Sequence, residues 1–395
     1  MLLEVTAQVV WWGQDCLEIF DKEVCLLPRP LLTKAQLEQL DAVENDKSLY
    51  HQFDPILGWS ISPNRRVFRD GVMYESNGNG IRGQRDYTQT PPPGVTRLAA
   101  FGPSFAHSTE VGNEASWTYL LEQSLPNLEV MNWGVGGYGT DQAFLRYTTQ
   151  GAAYHPQIVI IVYEEENLRR NVNRFRPFYS SDTSTPLTKP VFILKDDGLE
   201  LLANPFQSLS TLRDTALNAP GHFLDLVCPY DYYCTRELYQ PSPLDIFKSY
   251  RFLHTLTFEI RYRDGLPSYE TPLFENYLDK RLSETTLRLI YLFVATVRQN
   301  GSIPVVITFP RRGTVEHYSY GDLPIYHEAV VQLQREGIHT LDLTRFFVEA
   351  NEGGHDFSRF FAPGGHYSEA GNRVVSDALL NYLCQADLLK GCDSP

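Results

Sequence analysis

The sequence has little that would take the chain to a membrane core or to a polyanion. No apolar run approaches the roughly 18 residues that a membrane-spanning helix needs. Basic residues are outnumbered: 34 Lys and Arg face 48 Asp and Glu, a formal charge of −14 at pH 7. So acidic a chain has no general basic face for nucleic acid, although a local basic pocket stays open to it. Charged residues make up 21%, too few for a disordered polyelectrolyte, and the 43% of hydrophobic residues supply a core. The amino end, MLLEVTAQVVWWGQDCLEIF, has no basic leader, and Glu4 interrupts its apolar stretch, so it does not read as a signal peptide. Val9, Val10, Trp11 and Trp12 are expected in a buried strand or docking segment. None of the cysteines, Cys16, Cys25, Cys228, Cys234, Cys384 and Cys392, stands in a C-x-x-C pair. Their scatter predicts reduced thiols, no zinc site and, by default, a cytoplasmic location.

What is present is an alternation of strands and helices. Residues 1–95 are rich in Pro, Gly, Asn and aromatics and read as an N-terminal extension of strands and loops; Pro91-Pro92-Pro93-Gly94 closes it. Thr96 to Phe101 then reads as a buried strand, Leu128 to Asn132 as a second and the β-branched run Ile158 to Tyr163 as a third. Residues 303–310 form a fourth and 339–344 a weaker fifth. Trp117, Leu120, Leu121 and Leu125 share one helical face. Further helices are expected over 284–299 with Ser283 as N-cap, over 324–336 between Pro324 and Gly337, and over 369–384. The pattern predicts an α/β fold, a three-layer α/β/α sandwich with about five parallel strands, whose ligand site lies beyond the carboxyl ends of the strands. Residues 172–282 break the rhythm and read as an inserted cap within a domain spanning 96–386; 387–395 form a tail.

Four segments carry chemistry. Ser104 follows the first strand in Phe101-Gly102-Pro103-Ser104-Phe105, where Gly102 permits a sharp turn. Asn132-Trp133-Gly134-Val135-Gly136-Gly137-Tyr138-Gly139 follows the second, and its glycines allow a backbone N–H to be aimed at a substrate oxygen. Their spacing does not match the dinucleotide fingerprint. Glu164-Glu165-Glu166-Asn167 follows the third strand: either Asn167 lends its amide to an oxyanion, or the run is a solvated, charged helix start. His366, in Gly364-Gly365-His366-Tyr367-Ser368, lies just before the last helix, from where a base reaches a serine at the first strand.

In this order the four segments resemble the SGNH, or GDSL-type, serine hydrolases over about residues 96–386, insertion excluded. Leu57-Gly58-Trp59 and Asn79-Gly80-Ile81-Arg82-Gly83 also resemble the extension of some bacterial members. The resemblance implies a flavodoxin-like strand order, Ser104 as nucleophile, His366 as base, and an oxyanion hole from the N–H groups of Ser104 and Gly137 and the amide of Asn167. It implies a small-molecule ester or acyl substrate and neither cofactor nor metal. Two departures stand out. Gly-Pro-Ser replaces Gly-Asp-Ser, and Pro363 occupies the place, three before His366, where the family keeps an aspartate.

Because a base needs an orienter, three arrangements are open. The Pro363 carbonyl accepts from His366 in a Ser–His dyad, which is favoured; or Asp356, Glu369 or an acid from the insertion substitutes; or the site is dead. Asp342 is better read as structural. Arg170, Tyr138 and His107 are candidate substrate contacts, although His107 also fits simple packing. His355 is a candidate contact or a decoy. Arg169, Arg170, Arg174 and Arg176 either bind an anionic group or form a solvated face paired with the Glu run. An esterase or deacylase is the first reading, an acyltransferase using the same residues the second, and a non-catalytic binding protein the third.

Overall fold

The run Ile158 to Val162 offers no polar face to water, so it has to lie inside a sheet covered on both sides. In the computed structural model, which describes residues 2–19, 22–45, 49–196, 198–262, 265–267 and 271–392, it does. Five strands, β1 (Thr96–Phe101), β2 (Leu128–Asn132), β3 (Ile158–Tyr163), β4 (Ile303–Thr308) and β5 (His339–Asp342), form one parallel sheet in the order β5-β4-β3-β1-β2. β3 pairs Ile158 with Leu98 of β1 on one side and with Ile303 of β4 on the other. The expected strand order is therefore found, and β4 and β5 end at 308 and 342 rather than 310 and 344.

Alternation along each strand divides the core in two. Leu98, Ala100 and Ile160 point to one face and pack with Leu121 of helix α1 (Trp117–Ser124) and Val375 and Leu379 of α5 (Glu369–Gln385). Ala99, Phe101 and Ile161 point to the other, toward Ala143 and Tyr147 of α2 (Thr140–Thr149) and Leu289 and Phe293 of α3 (Lys280–Gln299). α4 (His327–Arg335) adds Val330 and Leu333 to this second face. Two helix starts differ from expectation. α3 begins at Lys280 because Asp279, not Ser283, caps it, accepting from Arg281 N–H at 2.8 Å. α4 begins at His327, after a turn in which His327 N–H donates to the Pro324 carbonyl.

The N-terminal segment holds more helix than expected. Leu2–Val10 is helical, not a strand; Trp11 docks on Ala7 and Leu26, whereas Val9, Val10 and Trp12 face solvent. Lys34–Asn45 is a second helix, followed by two hairpins, His51–Asp54 with Gly58–Ile61 and Arg66–Arg69 with Val72–Glu75. Within 172–282, the hairpin of Val191–Lys195 and Gly198–Leu202 packs along α2 and α3, with Phe192 against Phe144, the helix Lys248–Arg261 packs on the helix Leu2–Val10, and Arg176 reaches the strand ends. Among the described residues no helix is long and apolar enough to cross a membrane.

The thiol expectation is overturned. Cys16–Cys25, Cys228–Cys234 and Cys384–Cys392 are disulfides. Each closes a short local loop, and the first staples a hairpin at directly paired positions. Disulfides persist in oxidising compartments, so the ground for a cytoplasmic default is gone.

Candidate active site

Three neighbouring loops leave the carboxyl ends of β1, β2 and β3. Ser104 opens a short helix, Ser104–His107, immediately after β1, with Pro103 as its N-cap residue. A proline needs no N–H there, so Pro103 is tolerated by the turn. Gly134 lets the β2 loop lie against this helix: a Cβ at that position would stand 2.3 Å from the His107 nitrogen. Gly137 takes φ +79°, a conformation that side chains disfavour. Asn167, fully buried after β3, donates to Thr140 Oγ1 at 3.2 Å, which ties the β3 loop to the start of α2 just beyond Gly137. Its Oδ1 accepts from Glu164 N–H at 3.2 Å, fixing the amide orientation.

His366 arrives from the other end of the chain. Its Nε2 lies 2.8 Å from Ser104 Oγ, and its ring packs on Phe105 with centroids 5.2 Å apart. Its Nδ1 lies 2.8 Å from Oε2 of Glu110. The same carboxylate accepts the backbone N–H of His366 at 3.0 Å and that of Gly364 at 2.6 Å. Three donors thus converge on Glu110, and Ser104, His366 and Glu110 stand in hydrogen-bonded series.

Sequence reasoning missed this acid. The Pro363 carbonyl is not the orienter, because Nδ1 engages Glu110. Asp356 is exposed and caps Ser358 N–H at 2.9 Å. Glu369 begins α5, away from the imidazole contacts. The available signal was negative: with a proline three before His366, an acid on a loop beside Ser104 was the place to look.

The electrostatics suit a base. Burial lowers the His366 pKa below its ordinary 6.5; hydrogen bonding and charge from Glu110, and the charge of Glu164, oppose this without reversing it, and Arg170 adds to it. The shift favours the neutral ring, the form that can accept a proton. Burial pushes the Glu110 carboxyl up, but the hydrogen bonds from His366 and Gly364 outweigh it and hold the group below the usual carboxylate range.

Other candidates are placed differently. His107 is buried, with Tyr50 Oη 2.9 Å from its Nε2 and Arg82 Nη1 3.0 Å from its Nδ1, so both ring nitrogens are engaged within the protein. Tyr138 is buried too, its hydroxyl donating to the Trp59 carbonyl at 2.5 Å. His355 stacks on Tyr320 beside Ser319. Asp342 is structural, as expected, accepting from Thr308 and from Thr344.

The Glu run is buried, not solvated. Glu164 pairs with Arg170 at 2.8 Å and Arg311 at 3.3 Å, and Glu166 with Arg169 at 2.9 Å. Burial raises the Glu164 pKa, but Arg311 and Arg170 overcome it and hold it down. Arg174 donates to the Ala203 carbonyl at 2.8 Å, and Arg176 lies over Tyr179 and donates to the Gly137 carbonyl at 3.4 Å.

No protein-family model matches the chain, and no curated protein matches it. Solved structures do. A member of the lipolytic protein G-D-S-L family from Veillonella parvula is 10% identical with a TM-score of 0.36, the match covering 73% of this chain and 97% of that one. A catalytic mutant of an acetylxylan esterase from Geobacillus stearothermophilus is 9% identical with a TM-score of 0.36, covering 74% of this chain and 96% of that one.

Proposed function

We propose that the protein is a serine ester hydrolase in which Ser104 is the nucleophile, His366 the general base and Glu110 the residue that holds the imidazole. The observation that carries this reading is the series Ser104 Oγ, His366 Nε2, His366 Nδ1, Glu110 Oε2, with both links at 2.8 Å. Geometry of this kind, not sequence order, defines a hydrolytic triad.

The chemistry follows from the proton positions. Glu110 accepts from Nδ1–H, which leaves Nε2 unprotonated toward Ser104. Ser104 Oγ attacks the ester carbonyl carbon as its proton passes to Nε2. The negative charge that develops on the carbonyl oxygen is met by the N–H groups of Ser104 and Gly137 and by the Asn167 amide. The adjacent positions of their three loops support that assignment. The imidazolium, stabilised by Glu110, then gives its proton to the departing alkoxide. Water repeats the sequence on the acyl-enzyme, releasing the acid and restoring Ser104.

The test is hydrolysis of p-nitrophenyl acetate by the full chain and by Ser104→Ala and His366→Ala, with products analysed with and without added alcohol. Nitrophenol and acetate from the parent chain, and neither variant above the uncatalysed rate, support a hydrolase. Acetyl transfer to alcohol with little free acetate turns the reading to an acyltransferase. Full activity in Ser104→Ala removes the reading altogether.

A further inference from the structure

The hydrogen bonds that tie the start of the turn to the helix before it, from the N–H groups of Ser108 and Thr109 to the Phe105 and Ser104 carbonyls, stop one residue short of Glu110. Ser108 and Glu110 have φ values of +59° and +74°, conformations that residues other than glycine rarely adopt, and both stand within the turn 107–111. Such a turn persists only where its surroundings determine it. Here they come from the N-terminal segment. Arg82 Nη1 donates to the carbonyls of His107 at 2.6 Å and Ser108 at 3.1 Å, and its Nη2 to that of Val111 at 2.6 Å. One guanidinium thus brackets the turn on both sides of Glu110.

Arg82 is buried and, among the described residues, has no ion pair, so its charge is spent on these carbonyls. A buried cation without a carboxylate is a costly way to fill space. Tyr74 completes the frame: its hydroxyl accepts the N–H of Glu110 at 2.9 Å, and its ring stacks on His107 and lies under Arg82. Tyr50 fixes His107 from the same side, and Arg82 N–H bridges to the Asn132 carbonyl at the end of β2.

We propose that the segment 50–82 is a working part of the catalytic centre, in which Arg82 and Tyr74 are positioning residues that hold the 107–111 turn so that Glu110 meets His366. This rests on the reading of Ser104 and His366 as nucleophile and base. It predicts that loosening the clamp acts on the titration of His366 as well as on stability. The charged and titratable groups facing His366 are Glu110 from this turn and Glu164 and Arg170 from beyond β3, with His107 behind the turn; Arg82 holds the turn that carries Glu110 and contacts His107 as well, whereas Glu164 and Arg170 are paired with each other. Because Glu110 raises the His366 pKa, a displaced Glu110 moves the acid limb of the rate profile to lower pH while the plateau falls.

The experiment is the second-order rate of inactivation of the full chain by a fluorophosphonate between pH 4.5 and 8, with the adduct located by peptide mass spectrometry. It is run on the parent chain, Arg82→Met, Tyr74→Phe and Arg97→Met. Arg97 is another buried arginine, paired with Glu129 at 2.7 Å and donating to the carbonyls of Thr88, Gln89 and Tyr154 at the other end of β1, away from the 107–111 turn, so its loss reports stability. The expected result is an adduct on Ser104 throughout. The plateau should fall roughly 30-fold in Arg82→Met and roughly fivefold in Tyr74→Phe, with the acid limb lower in both. Arg97→Met should keep the parent profile and lose only melting temperature. If Arg82→Met does not fold, Tyr74→Phe decides by proton NMR: a weakened low-field His366 Nδ1–H resonance supports the clamp, and an unchanged one overturns it. A parent-like profile in Arg82→Met, or an Arg97→Met limb shifted as far, overturns the clamp with the triad intact. No Ser104 adduct in the parent chain overturns the underlying reading instead.

Discussion

Glu110→Gln is the sharpest perturbation of the proposed triad, because it keeps the shape of the side chain and changes what it can accept. The carboxylate now takes three N–H groups: Gly364 on Oε1, and the backbone and Nδ1 of His366 on Oε2. A glutamine has one acceptor oxygen. Turned toward His366, it sets its NH2 against the Gly364 N–H. Turned toward Gly364, it sets the NH2 against Nδ1, which must then accept, so the proton moves to Nε2 and the base can no longer take the Ser104 proton. Either way the negative charge that steadies the imidazolium is gone. A positioned general base contributes about 100- to 10,000-fold. The Glu110 side chain is 21% exposed, so solvent screens part of its charge and the middle of that range applies. The expected loss in kcat/KM is about 1000-fold, roughly 4 kcal/mol of transition-state stabilisation. The acid limb should also move to lower pH, since His366 loses a partner that raises its pKa. The assay is p-nitrophenyl acetate hydrolysis from pH 4.5 to 8, with melting temperature as the folding control. A fall below roughly fivefold with an unmoved limb would refute the role of Glu110.

Three further outcomes follow from the same geometry. Asn167→Ala should lower kcat about 100- to 1000-fold with little change in KM, as loss of one oxyanion donor does; parent-like kcat would remove Asn167 from the hole. Glu165 has its pKa raised to about 7, first by burial and then by Glu164, while a hydrogen bond from Thr314 opposes the rise. Its neutral form is favoured in the fold, so its contribution to stability is present below the unfolded value of about 4.5 and is lost as pH rises through 7. Glu165→Gln should therefore stabilise the chain by up to about 3 kcal/mol at pH 8 and by little at pH 4, in urea unfolding; equal effects at both would contradict the buried placement. Denatured, unreduced protein should resist iodoacetamide and gain six adducts only after reduction, by intact mass; full labelling without reductant would return the cysteines to free thiols.

The sheet was legible because its signal is local. A β-branched run without polar interruptions has one stable environment, and the order of serine, glycine, asparagine and histidine segments repeats the order of strands. Ser104 and His366 were readable as candidates from the order of the four segments taken together, which resembles that of a known hydrolase family, and not from either turn alone. Glu110 was not, because its partnership with His366 spans 256 positions and its neighbours, Ser108-Thr109-Glu110, read as ordinary loop. The Glu164 to Glu166 run misled for a related reason: Arg311, which helps bury it, comes from a distant segment. The cysteines carried an unused signal. They fall into pairs separated by 9, 6 and 8 positions, a clustering that a search for C-x-x-C alone passes over.

The central claim is that Ser104 is a nucleophile activated by His366. Its most direct measurement is the site and stoichiometry of covalent modification by a fluorophosphonate on the folded, full-length chain. The account predicts one adduct per chain on the peptide carrying Ser104, absent in Ser104→Ala and strongly slowed in His366→Ala. An adduct on another residue, or ester hydrolysis that continues with Ser104 unmodified, would contradict it.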